Sequence, residues 1–110
     1  MPQRVTEQTM RLLEALLEEP LAEHYGLELM GRAQLASGTA YPILHRLEND
    51  GWLESGQEAI DPSAAGRPRR RLYRLTALGE SQAKALVNER FQRKRGAMAL
   101  PPPRLRKAPA

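Results

Sequence analysis

The sequence predicts a mainly α-helical domain with a small β-hairpin. Three observations predict it: a helical stripe of apolar residues in residues 6–19, two further helical segments before Gly51, and alternating periodicity after it. A chain of 110 residues has room for one compact core. We expect one domain over residues 1–96, followed by a basic, proline-rich, disordered tail over residues 97–110.

The first two helices are predicted from the spacing of their apolar side chains. The first covers residues 6–19 and ends at Pro20, whose ring excludes a continuing helix. Its apolar face follows helical spacing and consists of Thr9, Leu12, Leu13, Leu16 and Leu17. The second helix is predicted from His24 to Ala33.

A four-residue connection, residues 34–37, leads to the third helix and lets two helices meet at a steep angle. Ser37 or Thr39 can cap this helix by accepting a backbone N–H bond. With Thr39 as the cap, Pro42 falls at the third helical position, where its missing N–H costs nothing. We therefore expect the helix to begin near Thr39, or to have an irregular first turn, and to end at Gly51 in the left-handed conformation.

The rest of the chain predicts a hairpin and a last helix. Residues 52–59 form the first strand, residues 60–69 a loop with proline and glycine, and residues 70–76 the return strand. A final helix follows from about Ala77 to Arg95, capped by Thr76. Three helices followed by a two-stranded wing form the winged helix-turn-helix plan, whose third helix fits the major groove of B-DNA.

Charge is distributed unevenly along the chain. Residues 1–60 contain ten acidic and four basic residues, whereas residues 61–110 contain three acidic and thirteen basic residues. Such asymmetry is typical of a surface that meets a polyanion. The densest basic cluster has no acid within it and consists of Arg67, Arg69, Arg70, Arg71 and Arg74. Because these charges repel one another, stability alone gives no reason for the cluster, while a phosphate backbone does; a solvated strand is the alternative.

The third helix supplies the other candidate contacts if Ile43, Leu44 and Leu47 face the core. Its first residues can donate to phosphates, its tyrosine can bond a phosphate or pack in the core, and its arginine can bind a phosphate or a guanine edge. The predicted double-stranded DNA contacts on this helix are Ser37, Thr39, Tyr41, Pro42, His45 and Arg46. The predicted contacts on the wing are Arg67, Arg69, Arg70 and Arg71.

Other classes of function have little support in the sequence. Cysteine is absent, the two histidines lack acidic partners at ligand spacing, and there is no glycine-rich phosphate loop, so we expect no enzyme, metal or cofactor. No apolar run approaches the roughly 20 residues that cross a bilayer, so we expect no membrane partner and a cytoplasmic location. Two alternatives stay open: a winged helix that binds proteins through its acidic first half, and a sensor of a small apolar ligand.

Four ordered motifs resemble the PadR family of bacterial transcriptional regulators. They are Gly38-Thr39-Ala40-Tyr41-Pro42, Arg46-Leu47-Glu48, Gly66-Arg67-Pro68 and Tyr73-Arg74-Leu75-Thr76. The resemblance covers roughly residues 9–85 and implies a homodimeric repressor on a near-palindromic operator, paired through the C-terminal helix. It places Ser37, Thr39, Tyr41 and Arg67 at or near DNA. Some relatives respond to small molecules at the dimer interface, but nothing in this sequence identifies an inducer.

Overall fold

The computed structural model describes the backbone of residues 5–98 and the side chains of residues 5–93. The elements, in chain order, are α1 (Glu7–Leu17), β1 (His24–Tyr25), α2 (Gly26–Ala33), α3 (Ser37–Asn49), β2 (Leu53–Gln57), α4 (Pro62–Ala65), β3 (Arg71–Leu75) and α5 (Ala77–Met98). The three strands form one antiparallel sheet in the order β1-β3-β2. The structure confirms the predicted fold class, a mainly α-helical winged helix.

The core lies between α1, α2 and α3. Thr6 caps α1 by accepting the backbone N–H of Thr9 at 3.1 Å. The predicted apolar face of this helix is confirmed, because its members are buried except for the half-buried Leu17. The fully buried leucines of the three helices are Leu12, Leu13, Leu16, Leu29, Leu44 and Leu47. Burying a side chain of this size stabilises the fold by about 1.5–3 kcal/mol.

The second helix begins later than predicted. His24 and Tyr25, which we expected to open it, form strand β1 and pair with Tyr73 and Leu72 of β3. The expected two-stranded hairpin is therefore part of a three-stranded sheet. Helix α2 starts at Gly26, where an added Cβ would lie 3.3 Å from the ring of Tyr73. Glycine allows the helix to start this close to the sheet.

The predicted start of the third helix near Thr39 is also wrong. Helix α3 begins at Ser37, and its N-cap residue, Ala36, makes no side-chain capping bond. Pro42 therefore lies inside the helix and cannot donate to the carbonyl of Gly38. A proline in a helix interior costs about 3 kcal/mol. Burial of the apolar face stabilises the helix by about 1.5–3 kcal/mol for each large side chain, so packing outweighs the missing bond. That face consists of Ala40, Ile43, Leu44 and Leu47.

The end of α3 and the start of α5 agree with the sequence. Gly51 follows α3 with a φ of +81°, the predicted left-handed conformation. Thr76 caps α5 by accepting the N–H of Gly79 at 2.9 Å, and its hydroxyl donates to the carbonyl of Gly51. The predicted loop at the wing tip contains the short helix α4, which Asp61 caps by accepting the N–H of Ser63.

Helix α5 extends to Met98, beyond the predicted end at Arg95. The predicted tail from residue 97 is helical at Ala97 and Met98, and its remainder lies outside the described residues. Within the part of the chain that the structure describes, no helix combines the length and the apolar character needed to cross a membrane. The same part holds no group of three acidic or histidine side chains arranged to bind a metal ion.

Candidate DNA interface

Helix α3 presents a polar stripe on the side opposite its buried face. The stripe follows helical spacing and consists of the exposed residues Gly38, Pro42, His45 and Asn49. Ser37, Thr39 and Tyr41, also exposed, flank it near the N-terminus. All predicted contacts on this helix except Arg46 therefore lie on its exposed surface. Asn49, which was not among the predicted contacts, extends the stripe by one more turn.

Arg46 lies on the flank of α3 that faces α1. Its side chain is half-buried, and Nη2 donates to the hydroxyl of Thr9 at 3.3 Å. Thr9 is fully buried. This bond gives Arg46 a role in joining α3 to α1, and its contact with DNA remains a prediction.

Tyr41 lies on the opposite flank, at the junction of α3 and α2. Its side chain is 42% exposed, so it packs partly against its neighbours and is partly accessible to solvent. Its hydroxyl lies 3.4 Å from the point that a Cβ on Gly26 would occupy. The ring borders a groove of about 470 Å³ that joins α3 to the wing. The groove is lined by Tyr25, Gly26, Leu27, Glu28, Tyr41, Arg69, Arg70 and Arg71.

Three of the wing arginines have acidic partners. Arg67 binds Glu58, with nitrogen to oxygen distances of 2.7 and 3.0 Å, and Arg74 binds Glu54 at 2.7 Å. Arg71 donates to the hydroxyl of Ser55 at 2.8 Å and lies 4.0 Å from a carboxylate oxygen of Glu48. The expectation that stability gives no reason for the arginine cluster is therefore wrong for these three. Chain folding brings carboxylates from α3, from β2 and from the residue after β2 beside them.

Arg69 and Arg70 are different. Both are exposed, and within the described residues neither has a carboxylate at ion-pair distance. Arg69 donates through Nε to the carbonyl of Ile60 at 3.0 Å. The guanidinium of Arg70 lies over the ring of Tyr25, 4.7 Å from its centroid. The groove next to α3 therefore carries two guanidinium groups that no carboxylate of the described residues pairs with, since the Glu28 that also lines it is paired with Arg32 at 3.0 Å.

Glu58 is the most constrained acid of the wing. Only 9% exposed, it accepts from two nitrogens of Arg67, from the Tyr25 hydroxyl at 3.0 Å and from the Arg70 backbone N–H at 3.2 Å. The bonds from Arg67, foremost, lower the pKa of Glu58 from its ordinary 4.5 to about 2, although burial opposes this shift. The pKa of Arg67 is raised by the same carboxylate.

Sequence reasoning gave no part in the site to Glu58 or Tyr25. Glu58 is a single acid within the predicted first strand, and Tyr25 falls within the predicted second helix. No local signal in the sequence connects them, since they are 33 positions apart. Their link depends on the pairing of β1 and β2 with β3.

A three-helix unit whose third helix exposes a polar stripe, beside a cationic wing, defines a winged-helix transcriptional regulator. A model of the transcriptional regulator PadR-like family matches residues 12–85, and this chain belongs to that family. Over 57 residues it is 44% identical to the transcriptional regulator Rv3488 of Mycobacterium tuberculosis, a match that covers 52% of this chain and 46% of that protein. The chain thus matches about half the length of that curated relative.

Solved structures of bacterial proteins share the fold. The structure of smu.1704 from Streptococcus mutans UA159 is similar at 25% identity and a TM-score of 0.69, with 98% of this chain and 100% of that chain covered. A PadR family transcription regulator from Clostridium difficile R20291 is 23% identical, with a TM-score of 0.66 and coverage of 84% and 96%. BpsR of Bordetella bronchiseptica is 17% identical, with a TM-score of 0.70 and coverage of 91% and 66%. The last two show likeness of fold alone.

Proposed function

We propose that the protein is a homodimeric repressor that binds a near-palindromic site on double-stranded DNA. Helix α3 enters the major groove, and the wing contacts the neighbouring phosphates. The observation that carries this proposal is the groove between Tyr41 and the exposed Arg69 and Arg70. Two cations without acidic partners among the described residues, next to a helix with a polar stripe, suit a phosphate backbone that flanks a major groove.

The helix and the wing contribute differently to binding. The stripe of α3 carries His45 and Asn49, whose side chains can read base edges, since asparagine pairs well with adenine. Ser37 and Thr39 lie at the helix start, where their hydroxyls can donate to a phosphate, although the Thr39 N–H already donates to the Ala36 carbonyl at 3.0 Å. The described stripe carries no permanent cation. The wing therefore supplies most of the attraction, and α3 supplies the choice of sequence.

Dimerisation is proposed through α5. This helix packs against α1 and leaves Phe91 54% exposed, with Leu86 and Val87 half-buried beside it. Exposed apolar side chains on a long helix support pairing with a second copy. A two-fold dimer would place two α3 helices in successive major grooves, about 34 Å apart. Occupancy of the site excludes RNA polymerase, and we expect this to occur in the cytoplasm.

A second candidate function is ligand sensing. A groove of about 510 Å³ lies between α1 and α5, and Leu17, Val87 and Phe91 supply its apolar lining. A structure of BpsR is described in terms of regulation of DNA binding by 6-hydroxynicotinic acid, so a shared fold supports such a response. Met10, Met30 and Trp52, which could also contact an apolar ligand, lie in the core and do not line this groove. Release of bound DNA by small aromatic compounds would support this function, and a Phe91→Ala variant that is released equally well would contradict it.

The test of DNA binding is a salt series on genomic fragments. We compare the protein with an Arg69→Ala, Arg70→Ala, Arg71→Ala triple variant and with Lys84→Ala, which removes an exposed cation of α5. The triple variant should make the fall of log affinity with log salt less steep, by about 0.9 for each phosphate that it no longer neutralises. The Lys84→Ala variant should leave this steepness unchanged. Equal binding by the triple variant, or no bound fragment at all, contradicts the proposal. A monomer at micromolar concentration contradicts the two-site geometry.

A further inference from the structure

Glu58 lies beside the arginine cluster, where a negative charge opposes the approach of DNA. Its neighbours Gln57 and Ala59 are exposed, whereas Glu58 is turned inward and accepts four hydrogen bonds from three residues. A carboxylate that only aided solubility would face the solvent. The inward position therefore indicates that Glu58 acts through the three residues that it binds.

These contacts meet at the residues that shape the groove. The backbones of Glu58 and Arg70 are joined by the Glu58 N–H, which donates to the Arg70 carbonyl at 2.8 Å, and the Arg70 N–H donates to the Glu58 carboxylate at 3.2 Å. The same carboxylate holds the Tyr25 hydroxyl at 3.0 Å. Because the Arg70 guanidinium rests on the Tyr25 ring, Glu58 holds both the backbone that carries Arg70 and the ring that supports it.

Glu58 affects Arg67 differently: its ion pair occupies the guanidinium, whereas the contacts described above leave the guanidinium of Arg70 accessible. Two of its nitrogens are bonded to the carboxylate, the bidentate geometry that binds a guanidinium best. A phosphate would have to displace a partner that is already in place and shielded from solvent. Arg67 therefore differs from Arg70, although the sequence places both in one basic cluster.

We propose that Glu58 is a positioning residue for DNA binding: it orients Arg70 toward a phosphate and retains Arg67 as an internal partner. This inference rests on the proposed DNA-binding function. It separates the wing arginines into one that stabilises the wing and one that contacts the ligand.

The first experiment uses the sign of a charge effect. We compare Glu58→Gln with Glu54→Gln, an exposed acid on the same side of the hairpin that pairs with Arg74. The probe is a labelled duplex of mixed sequence, roughly three helical turns long. By charge alone, both variants should bind more tightly, because each removes a negative charge near the wing. The proposal expects Glu58→Gln to bind about three- to tenfold more weakly, the effect of removing one well-placed contact, and Glu54→Gln to bind as well as or better than the unmodified protein. Binding by Glu58→Gln as tight as that of Glu54→Gln overturns the proposal.

The second experiment does not depend on the folding of Glu58→Gln, which a thermal melt checks. The salt dependence of binding to the same duplex is measured between about 50 and 200 mM for Arg67→Gln and Arg70→Gln. Arg70→Gln should make the fall of log affinity with log salt less steep by about 0.9, and Arg67→Gln should leave this steepness unchanged. An equal loss of steepness in both variants overturns the inference but not the proposed function. Failure of the unmodified protein to bind any duplex overturns both.

Discussion

Gly79 lies in the first turn of α5, where this helix crosses the start of β2. A Cβ added at Gly79 would lie 2.0 Å from the carbonyl oxygen of Trp52 and 2.7 Å from its carbonyl carbon. These are backbone atoms, which no rotamer change can move. The Gly79→Ala variant must therefore shift α5 by about an ångström to restore even the 3.0 Å that real Cβ contacts require.

The cost of this shift follows from the contacts it disturbs. Overpacking costs about 1–3 kcal/mol. The shift also strains the bond from the Thr76 N–H to the Trp52 carbonyl, 3.0 Å long, and the capping bond from Gly79 to Thr76, worth about 1 kcal/mol. The better helix propensity of alanine offsets at most about 1 kcal/mol. We expect a net decrease of about 2 kcal/mol in the free energy of unfolding, which lowers the Tm by about 8 °C or more.

The assay is thermal unfolding followed by circular dichroism, at one protein concentration because dimer stability depends on it. The matched control is Gly31→Ala in α2, where an added Cβ meets no atom within 4 Å. This control should gain about 0.5–1 kcal/mol, since alanine reduces the freedom of the unfolded chain. Equal stability of the two variants would refute the close approach of α5 to the sheet.

Three further predictions concern the wing, α3 and its C-terminus. The pKa of Glu58 is lowered to about 2, so the stability that its carboxylate contributes is complete above its ordinary pKa of 4.5 and is lost as pH falls toward 2. The Tm measured over this pH range should therefore fall less steeply for Glu58→Gln than for the unmodified protein. Leu44→Ala, at a fully buried position, should lower the free energy of unfolding measured in urea by about 2–5 kcal/mol. His45→Ala, at the adjacent exposed position, should change this free energy by no more than about 0.5 kcal/mol but weaken DNA binding. A similar decrease of stability in both variants would contradict the orientation of α3. Gly51→Ala forces a Cβ into a backbone with φ of +81° and should cost about 1–2 kcal/mol in the same assay; an unchanged urea midpoint would show that this left-handed turn is not required.

The features that the sequence predicted well are local ones. The buried face of α1, the left-handed Gly51 and the capping Thr76 each depend on residues within a few positions of one another. Spacing of apolar residues and capping chemistry are properties of the chain itself, so they are visible before any folding is known. The exposed stripe of α3 followed in the same way, since it lies opposite the apolar residues.

The two boundary errors have different physical causes. Strand β1 has two residues, too few to show a period, and it forms only because β3 offers it a free edge. Helix α3 starts at Ser37 although Pro42 then lies inside it, and the N–H groups of Thr39 and Ala40 both donate to the Ala36 carbonyl in its first turn. The first feature depends on a tertiary contact, and the second on backbone hydrogen bonds at the helix start.

The wing shows most clearly what each level determined. The sequence by itself established a dense cluster of arginines on a hairpin beside a helix suited to the major groove. Only the tertiary structure decided which of them are compensated: the antiparallel register brings Glu54 to Arg74, and the fold of the hairpin brings Glu58 to Arg67. Electrostatic energy depends on distance in space, and composition along the chain does not contain that distance.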